Sequence, residues 1–590
     1  MTHKRAARRP MPSPHPSKIN DRHVRQIIDL VRVSGVLDEL APLEAARPGP
    51  RGLPAETVLV GLLLAAREKR STNIDDAWEC MQFGLRKPWL KYFGLKKVDV
   101  TDIDTTRASA KRFYDAWSRI TTLLDPARHD RRTRMLRHET EPYRRAWTHP
   151  KGQDVTPVLS RIANRLVLTP VRIAIARGLM DGWDGDLSVD ATALATWAKR
   201  ATPRHASLEV SAGWHVSGGG DQTFGYSATL LVAGHSDPEL AGLYPQLCMG
   251  MAVHAPSKEI GQQAVRLLEI VQHLWPVKGF IAGDLAYSDA KVENFHAPVR
   301  ALGYRLVLDY KTTMVKKDKD AVEGTIAIAG ELLCPHTPQR IINGYHKMSA
   351  AKGSTEREEL LPRMLDADPY VLPLKQSADE RGLERRQCPA AGTNPRVNCS
   401  WAQERDTTAA RNRRHRGQPQ RPTRTSHTVD LDNPRARRAH PGARPTVRPP
   451  DRPTHRRPAI CQQSTITVST DIMSKLRQDL PWGRAAWQRA FRSLRSHVEG
   501  LNGRAKNVET FLHSRERRQS RGRVAQTFLA AVQLMVENLR SIESFLRTRR
   551  LWMAERYTIG TIPETPDPYR ATTRPNESDV TTPPPETPRT

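Results

Sequence analysis

The sequence predicts a mixed α/β protein that opens with an all-helical stretch, and three observations carry that prediction. Two short apolar runs, Leu187-Ser188-Val189 and Phe280-Ile281-Ala282-Gly283, each lead into one aspartate, as buried strands with a carboxylate at the end would. Between them, the stretch from Ser257 to Leu274 sets Ile260, Val265, Leu268 and Val271 on one face at helical spacing. From Asp21 to about Leu136 the periodicity is helical. Periodicity by itself supports a mixed α/β domain and nothing finer.

In chain order, Met1 to Asn20 carries Lys4, Arg5, Arg8 and Arg9 among prolines and serines, and is expected to be a disordered basic arm. The helical region, 21–150, contains Leu53-Pro54-Ala55-Glu56, where Pro54 suits a first turn, and then Val58, Leu59, Leu62 and Leu63 on one face. Ser71 to Trp78 reads as a cap and a second helix. The pair is either a helix-turn-helix for a DNA groove or a bundle that only packs. Phe113, Trp117 and Ile120 give a later helix its core face, flanked by Arg107, Lys111, Arg112 and Arg119. In 181–330, strands are expected at Leu187–Val189, Tyr226–Val232, Phe280–Ile281 and Tyr304–Leu308. Within 331–470, the part from Ser400 to Pro458 is dense in Arg, Pro and Thr. Its only aliphatic residues larger than alanine are Val429, Leu431 and Val447. It is expected to bury no core, as a disordered insertion or a segment read out of frame. In 471–557 two helices are expected, Ala485 to about Asn507 and Arg523 to Leu546, and 563–590 is a Pro and Thr tail expected to be disordered.

The balance of 93 Lys and Arg against 63 Asp and Glu gives a net charge of +30, with a pI of about 10.3. That calls for a polyanionic partner, most simply nucleic acid. The longest apolar run, Val58 to Ala66, is too short to span a bilayer. Six cysteines in 590 residues make no disulfide framework, and no apolar stretch follows the basic N-terminus, so a cytoplasmic location near the nucleoid is expected. Cys334-Pro335-His336, Cys388, Cys399 and Cys461 contain no C-x2-C pair, a spacing that favours separate thiols over a zinc site.

The first of the C-terminal helices contains Arg495, Glu499 and Lys506, spaced R-x3-E-x6-K. With the Asp284-Leu285-Ala286-Tyr287 run and the strand aspartate Asp190, this resembles the DDE transposases of bacterial insertion sequences that carry a Y-x2-R-x3-E-x6-K signature. The tyrosine position holds Arg492, beside Phe491. The resemblance covers about 181–310 and 475–540. It implies a ribonuclease H-like catalytic core, interrupted by a long insertion before the glutamate helix, since 499 − 284 leaves 215 positions between the last two acids. In related transposases an insertion there helps hold DNA.

The chemistry so implied is in-line displacement at phosphorus, first cleaving the element's ends and then joining the 3′-hydroxyl to target DNA. Asp190, Asp284 and Glu499 would be the catalytic carboxylates and ligands of Mg2+ (or Mn2+), since hard cations take oxygen donors. Arg495, Lys506, Arg492 and Arg504 would bind DNA, the alternative being that they pair with acids on a helix surface. Asp184, Asp186, Asp289 and Asp309 are competing strand-end acids. The expected partners are terminal inverted repeats and target DNA, with a homo-oligomer formed on DNA and no membrane. A metal-dependent nuclease on the same fold, or an inactive DNA-binding remnant of a transposase, are the competing readings.

Overall fold

A computed structural model describes residues 18–46, 52–129, 133–148, 154–216, 220–256, 259–318, 322, 324–351, 353–415, 444–451, 457–506 and 510–548. Most of the expected basic arm, part of the Ser400–Pro458 stretch and the Pro and Thr tail lie outside these residues.

Among the described residues, eight α-helices precede the first strand: α1 (Asp21–Val33), α2 (Val36–Ala45), α3 (Ala55–Glu68), α4 (Ile74–Glu79), α5 (Lys87–Tyr92), α6 (Ile103–Leu123), α7 (Glu141–Arg145) and α8 (Pro157–Ala176). Residues 18–20, assigned above to the arm, belong to this bundle. Ile19 donates its N–H to the Gly84 carbonyl at 2.9 Å, and the Asn20 side chain caps α1 through Arg22. In the α3–α4 pair, α4 buries Ile74, Asp76, Ala77 and Trp78 and leaves Asp75 and Glu79 partly exposed. Phe113, Trp117 and Ile120 are buried along α6 as their spacing predicts.

A six-stranded sheet follows, of β1 (Leu187–Ala195), β2 (Gly213–Val216), β3 (Gln222–Ala233), β4 (Cys248–His254), β5 (Phe280–Gly283) and β6 (Arg305–Leu308). The order is β2-β3-β1-β5-β6, with β4 also paired to β3. β3 runs antiparallel to β1, β2 and β4, whereas β1, β5 and β6 are mutually parallel. Parallel strands need crossovers, and α9 (Ile260–Leu274), α10 (Leu285–Asp289) and α11 (His296–Ala301) provide them. Among the described residues β4 has only β3 as a strand neighbour, and two asparagines satisfy backbone on its other side. Asn164 of α8 brackets Met251, accepting from its N–H at 2.9 Å and donating to its carbonyl at 3.0 Å. Asn538 does the same for Cys248, at 2.7 and 2.9 Å, from the C-terminal helix Arg523–Thr548. One core thereby joins the N-terminal helices, one face of the sheet and the C-terminal helix.

A second core runs from Val307 to Ala490 and begins before the expected insertion boundary, with Tyr310, Val315 and Ile326 already in it. It holds the hairpin Ile326–Ile328 and Glu331–Leu333, helices Gln339–Ala350 and Ser354–Leu365, and the three-stranded sheet of Leu374–Gln376, Leu383–Gln387 and Thr465–Ser469. The expectation that Ser400–Pro458 buries nothing fails at its ends. Ser400–His415 is a helix whose Trp401 and Ala402 are buried, and Val447, on a two-residue strand paired to Asn398–Cys399, is buried too. Trp401 succeeds where aliphatic residues are lacking because one indole supplies most of the apolar area the site needs. Among the described residues no helix is long and apolar enough to cross a membrane.

Candidate active site

The sheet's register brings the two aspartates together. In the parallel β1–β5 pair, Val189 lies opposite Gly283, so Asp190 and Asp284 are the next positions along on adjacent strands. Neighbouring strands lie about 4.8 Å apart, which gives two carboxylates one local environment. Asp284 stands at a strand end, as expected, and caps α10 by accepting from the Ala286 N–H at 2.9 Å. Asp190 does not, because β1 continues to Ala195 and places it fourth of nine residues. Gly283 lets the Tyr287 side chain pack close, since a Cβ there would stand 3.0 Å from the ring. Tyr287 is wholly buried against Phe295, and its phenol pKa is raised by burial and by the negative charges of Asp284 and Asp190.

The glutamate helix, Ala485–Lys506, lies across β1, β3 and β5. Trp487, Ala490, Leu494, Val498, Leu501 and Ala505 bury one side at helical spacing. Beside that stripe run Arg492, Arg495, Glu499, Asn502 and Lys506. Asn502 donates through Nδ2 to Asp190 Oδ2 at 2.8 Å, and its Oδ1 is buried without a partner. Arg495 Nη1 stands 3.9 Å from Asp190 Oδ1, while its Nη2 donates to Glu499 Oε1 at 3.3 Å. Glu499 is 65% exposed and held by this arginine, so it borders the aspartate pair without joining it.

The helix's other cations divide. Lys506 is exposed, and its charge is felt at the site, where it lowers the pKa of both Asp190 and His215. Arg492 is bound to Glu358 and, at 2.9 Å, to the Ser354 carbonyl of the insertion. Arg504 faces the C-terminal helix, donating to Glu537 at 3.2 Å and to Gln246 at 2.6 Å. The structure thus brings together Asp190, Asp284, Arg495 and Lys506, and directs Arg492 and Arg504 elsewhere.

Two residues that the sequence reading did not select belong to this site. Asn502 was detectable as a polar residue three positions after Glu499 on the same helical stripe. His215 was not, because only the pairing of β2 with β3 carries it there. Its ring reaches the Ala191 backbone, and burial followed by the Lys506 charge lowers its pKa.

Electrostatics single out Asp190. Burial is the largest influence, and with the Asp284 charge it raises the Asp190 pKa against the pull of Arg495. Three of the four competing acids have structural employment. Asp186 accepts from the Phe280 and Ser236 N–H groups, both at 2.7 Å; Asp309 holds Arg357 at 2.8 Å and the Trp482 indole at 3.0 Å; Asp289 holds Lys311 at 2.6 Å and Lys475 at 3.3 Å.

Two neighbouring carboxylates, one with its charge disfavoured by the other, and a buried amide oxygen without a partner form a hard-oxygen donor set that suits a divalent cation. Among the described residues, no three His, Cys, Asp or Glu side chains are gathered as a finished metal site. Compared with models of known protein families, with curated proteins and with solved structures, the chain matches none.

Proposed function

We propose that this protein is a metal-dependent DNA transposase. The observation that carries the reading is the placement of Asp190 beside Asp284 on parallel strands, with Arg495 and Asn502 delivered onto Asp190 by a helix some 300 positions later in the chain. With the short β2 set aside, the order β4-β3-β1-β5-β6, three antiparallel strands followed by two parallel to the first, is also that of a ribonuclease H-like sheet, which supports that fold for the core.

Asp190 and Asp284 would hold Mg2+ or Mn2+, with Glu499 as a third ligand once it leaves Arg495. A bound divalent ion supplies activation of the attacking oxygen and charge neutralisation at the leaving oxygen. The chain's own groups do the rest. Asn502 fixes the Asp190 carboxylate through Oδ2. Arg495, 18% exposed with Nη1 lacking a hydrogen-bond partner, is placed to take a phosphate oxygen, and exposed Lys506 adds a second cation along the same stripe. The net charge of +30 draws the polyanion towards the protein.

The test uses DNA from both flanks of the gene, incubated with the protein and Mg2+. A transposase yields 3′-hydroxyl ends joined to target DNA. Cleavage without joining would assign the site to a nuclease, and binding without cleavage to an inactive remnant.

A further inference from the structure

Four of the six cysteines, distant in sequence, meet in the insertion. Cys334, Cys388, Cys399 and Cys461 are 5%, 5%, 8% and 7% exposed and share the second core, whereas Cys80 and Cys248 lie in the first. Three of them sit at the border of a short element, after Glu331–Leu333, after Leu383–Gln387 and at the end of Asn398–Cys399, and Cys461 is in the middle of the short helix Ala459–Gln463. Backbone contacts draw these borders together, since Cys388 donates its N–H to the Ser464 carbonyl at 2.8 Å and Arg405 Nη1 donates to the Cys461 carbonyl at 3.1 Å.

Two of the cysteines occupy the same local turn. Both begin a Cys-Pro-x-x sequence, closed by Thr337 N–H to the Cys334 carbonyl at 3.0 Å and by Ala391 N–H to the Cys388 carbonyl at 2.9 Å. In each, the backbone N–H two residues on, of His336 or Ala390, is directed at the cysteine sulfur. Donors aimed at sulfur stabilise a thiolate, and a neutral buried thiol has little use for them. Arg405 adds a cation beside the Cys388 sulfur, and its Nη2 is buried without a partner. The thiols are near enough that Cys334 responds to the charge of the other three, and Cys461 to Cys388 and Cys399.

We propose that Cys334, Cys388, Cys399 and Cys461 are the four ligands of a structural zinc ion in the insertion. Four sulfurs suit tetrahedral zinc, which binds thiolates in closed structural sites. As Zn2+ forms four Zn–S bonds, four thiol protons leave to solvent. The site then carries a net charge of −2, which Arg405 and the directed N–H groups offset. Without the ion, burial raises the pKa of Cys334, Cys388 and Cys461, the last to about 12. Among the described residues no three of these side chains are gathered as a finished site, and the proposal requires the four sulfurs to draw together on the ion. The ion would tie Cys399 to Cys461 across the Arg- and Pro-rich stretch, where 461 − 399 = 62 positions separate the ligands. His336, whose ring packs edge-on against Trp401 at 5.0 Å, is assigned to packing and not to the metal.

The test is elemental analysis of the purified full-length chain, with Co2+ exchange as a second reading that needs no variant. The proposal expects one zinc per chain, retained in Cys80→Ser, Cys248→Ser and His336→Ala. It expects at least tenfold weaker zinc retention in Cys388→Ser and in Cys461→Ser. Co2+ exchanged into the wild type should show the intense visible bands and sulfur charge transfer of a tetrahedral thiolate site. Folded wild type without zinc, a Co2+ spectrum lacking sulfur charge transfer, or loss of zinc in His336→Ala with retention in a cysteine variant would each overturn the assignment.

Discussion

Asp284 both caps α10 and faces Asp190, and the two roles separate on substitution. Asparagine caps a helix about as well as aspartate, so Asp284→Asn removes the like charge beside Asp190 while keeping the cap. Its melting temperature in metal-free buffer should equal or exceed that of the wild type, whereas Asp284→Ala should lose about 1 kcal/mol with the cap. Equal destabilisation of both variants in thermal melts would show that the carboxylates do not repel one another. Asn502→Ala removes a hydrogen bond to a charged group and should slow DNA cleavage about tenfold with binding unchanged. An unaltered single-turnover rate would remove Asn502 from the site. At this scale much was legible in the sequence: a lone aspartate after an apolar run marked Asp190 and Asp284, and helical spacing placed Arg495 near Glu499. What spacing could not reveal is rotation about the helix axis in the folded molecule, which turns Arg504 to Glu537 and leaves Glu499 in solvent.

Among the elements, the glutamate helix continues to Lys506 through both Gly500 and Gly503. A Cβ at Gly503 would meet nothing within 4 Å among the described residues, so Gly503→Ala should stabilise the protein by about 0.5–1 kcal/mol through the unfolded chain's entropy. A lower melting temperature in that variant would mean that the helix end needs glycine. Trp401 makes the opposite case. It is buried, carries the Arg457 guanidinium 4.7 Å from its ring centre, and should cost about 3 kcal/mol when changed to alanine. Unchanged denaturant midpoints would return the Ser400–His415 helix to passenger status. The elements that escaped sequence reading share a cause. α8 carries Pro170 in its interior along with the buried Asn164 and Thr169, residue types that read as a break in a helical pattern. β1 was read as ending at Asp190 because Asp190 and Thr192 interrupt its apolar run, although its backbone pairs with β3 as far as Ala195.

For the molecule as a whole, the shared core makes the N-terminal helices part of the scaffold that carries the Asp190–Asp284 site, which composition could not foretell because long-range packing leaves no local pattern. Burial lowers the pKa of His254, His296 and His497 to about 4, against 6.5 for free imidazole. Their folded values lie below the unfolded one, so this stability is present above pH 6.5 and is lost as pH falls from 6.5 towards 4. Each contributes up to about 3 kcal/mol, and thermal melts should decline steeply across that window. A flat profile there would mean that the three rings protonate freely in the fold. Deleting only residues 1–16 should leave the bundle intact, because Lys18 to Asn20 stay in place, and should flatten the salt dependence of DNA binding if Lys4, Arg5, Arg8 and Arg9 meet phosphates. The central claim is that Asp190 and Asp284 act together on DNA through a divalent ion. Single-turnover cleavage of gene-flanking DNA in Mg2+, alongside binding of the same DNA, tests it most directly. Asp190→Asn and Asp284→Asn should each cut roughly a thousandfold more slowly while binding DNA as the wild type does. Wild-type cleavage by either variant would contradict the claim.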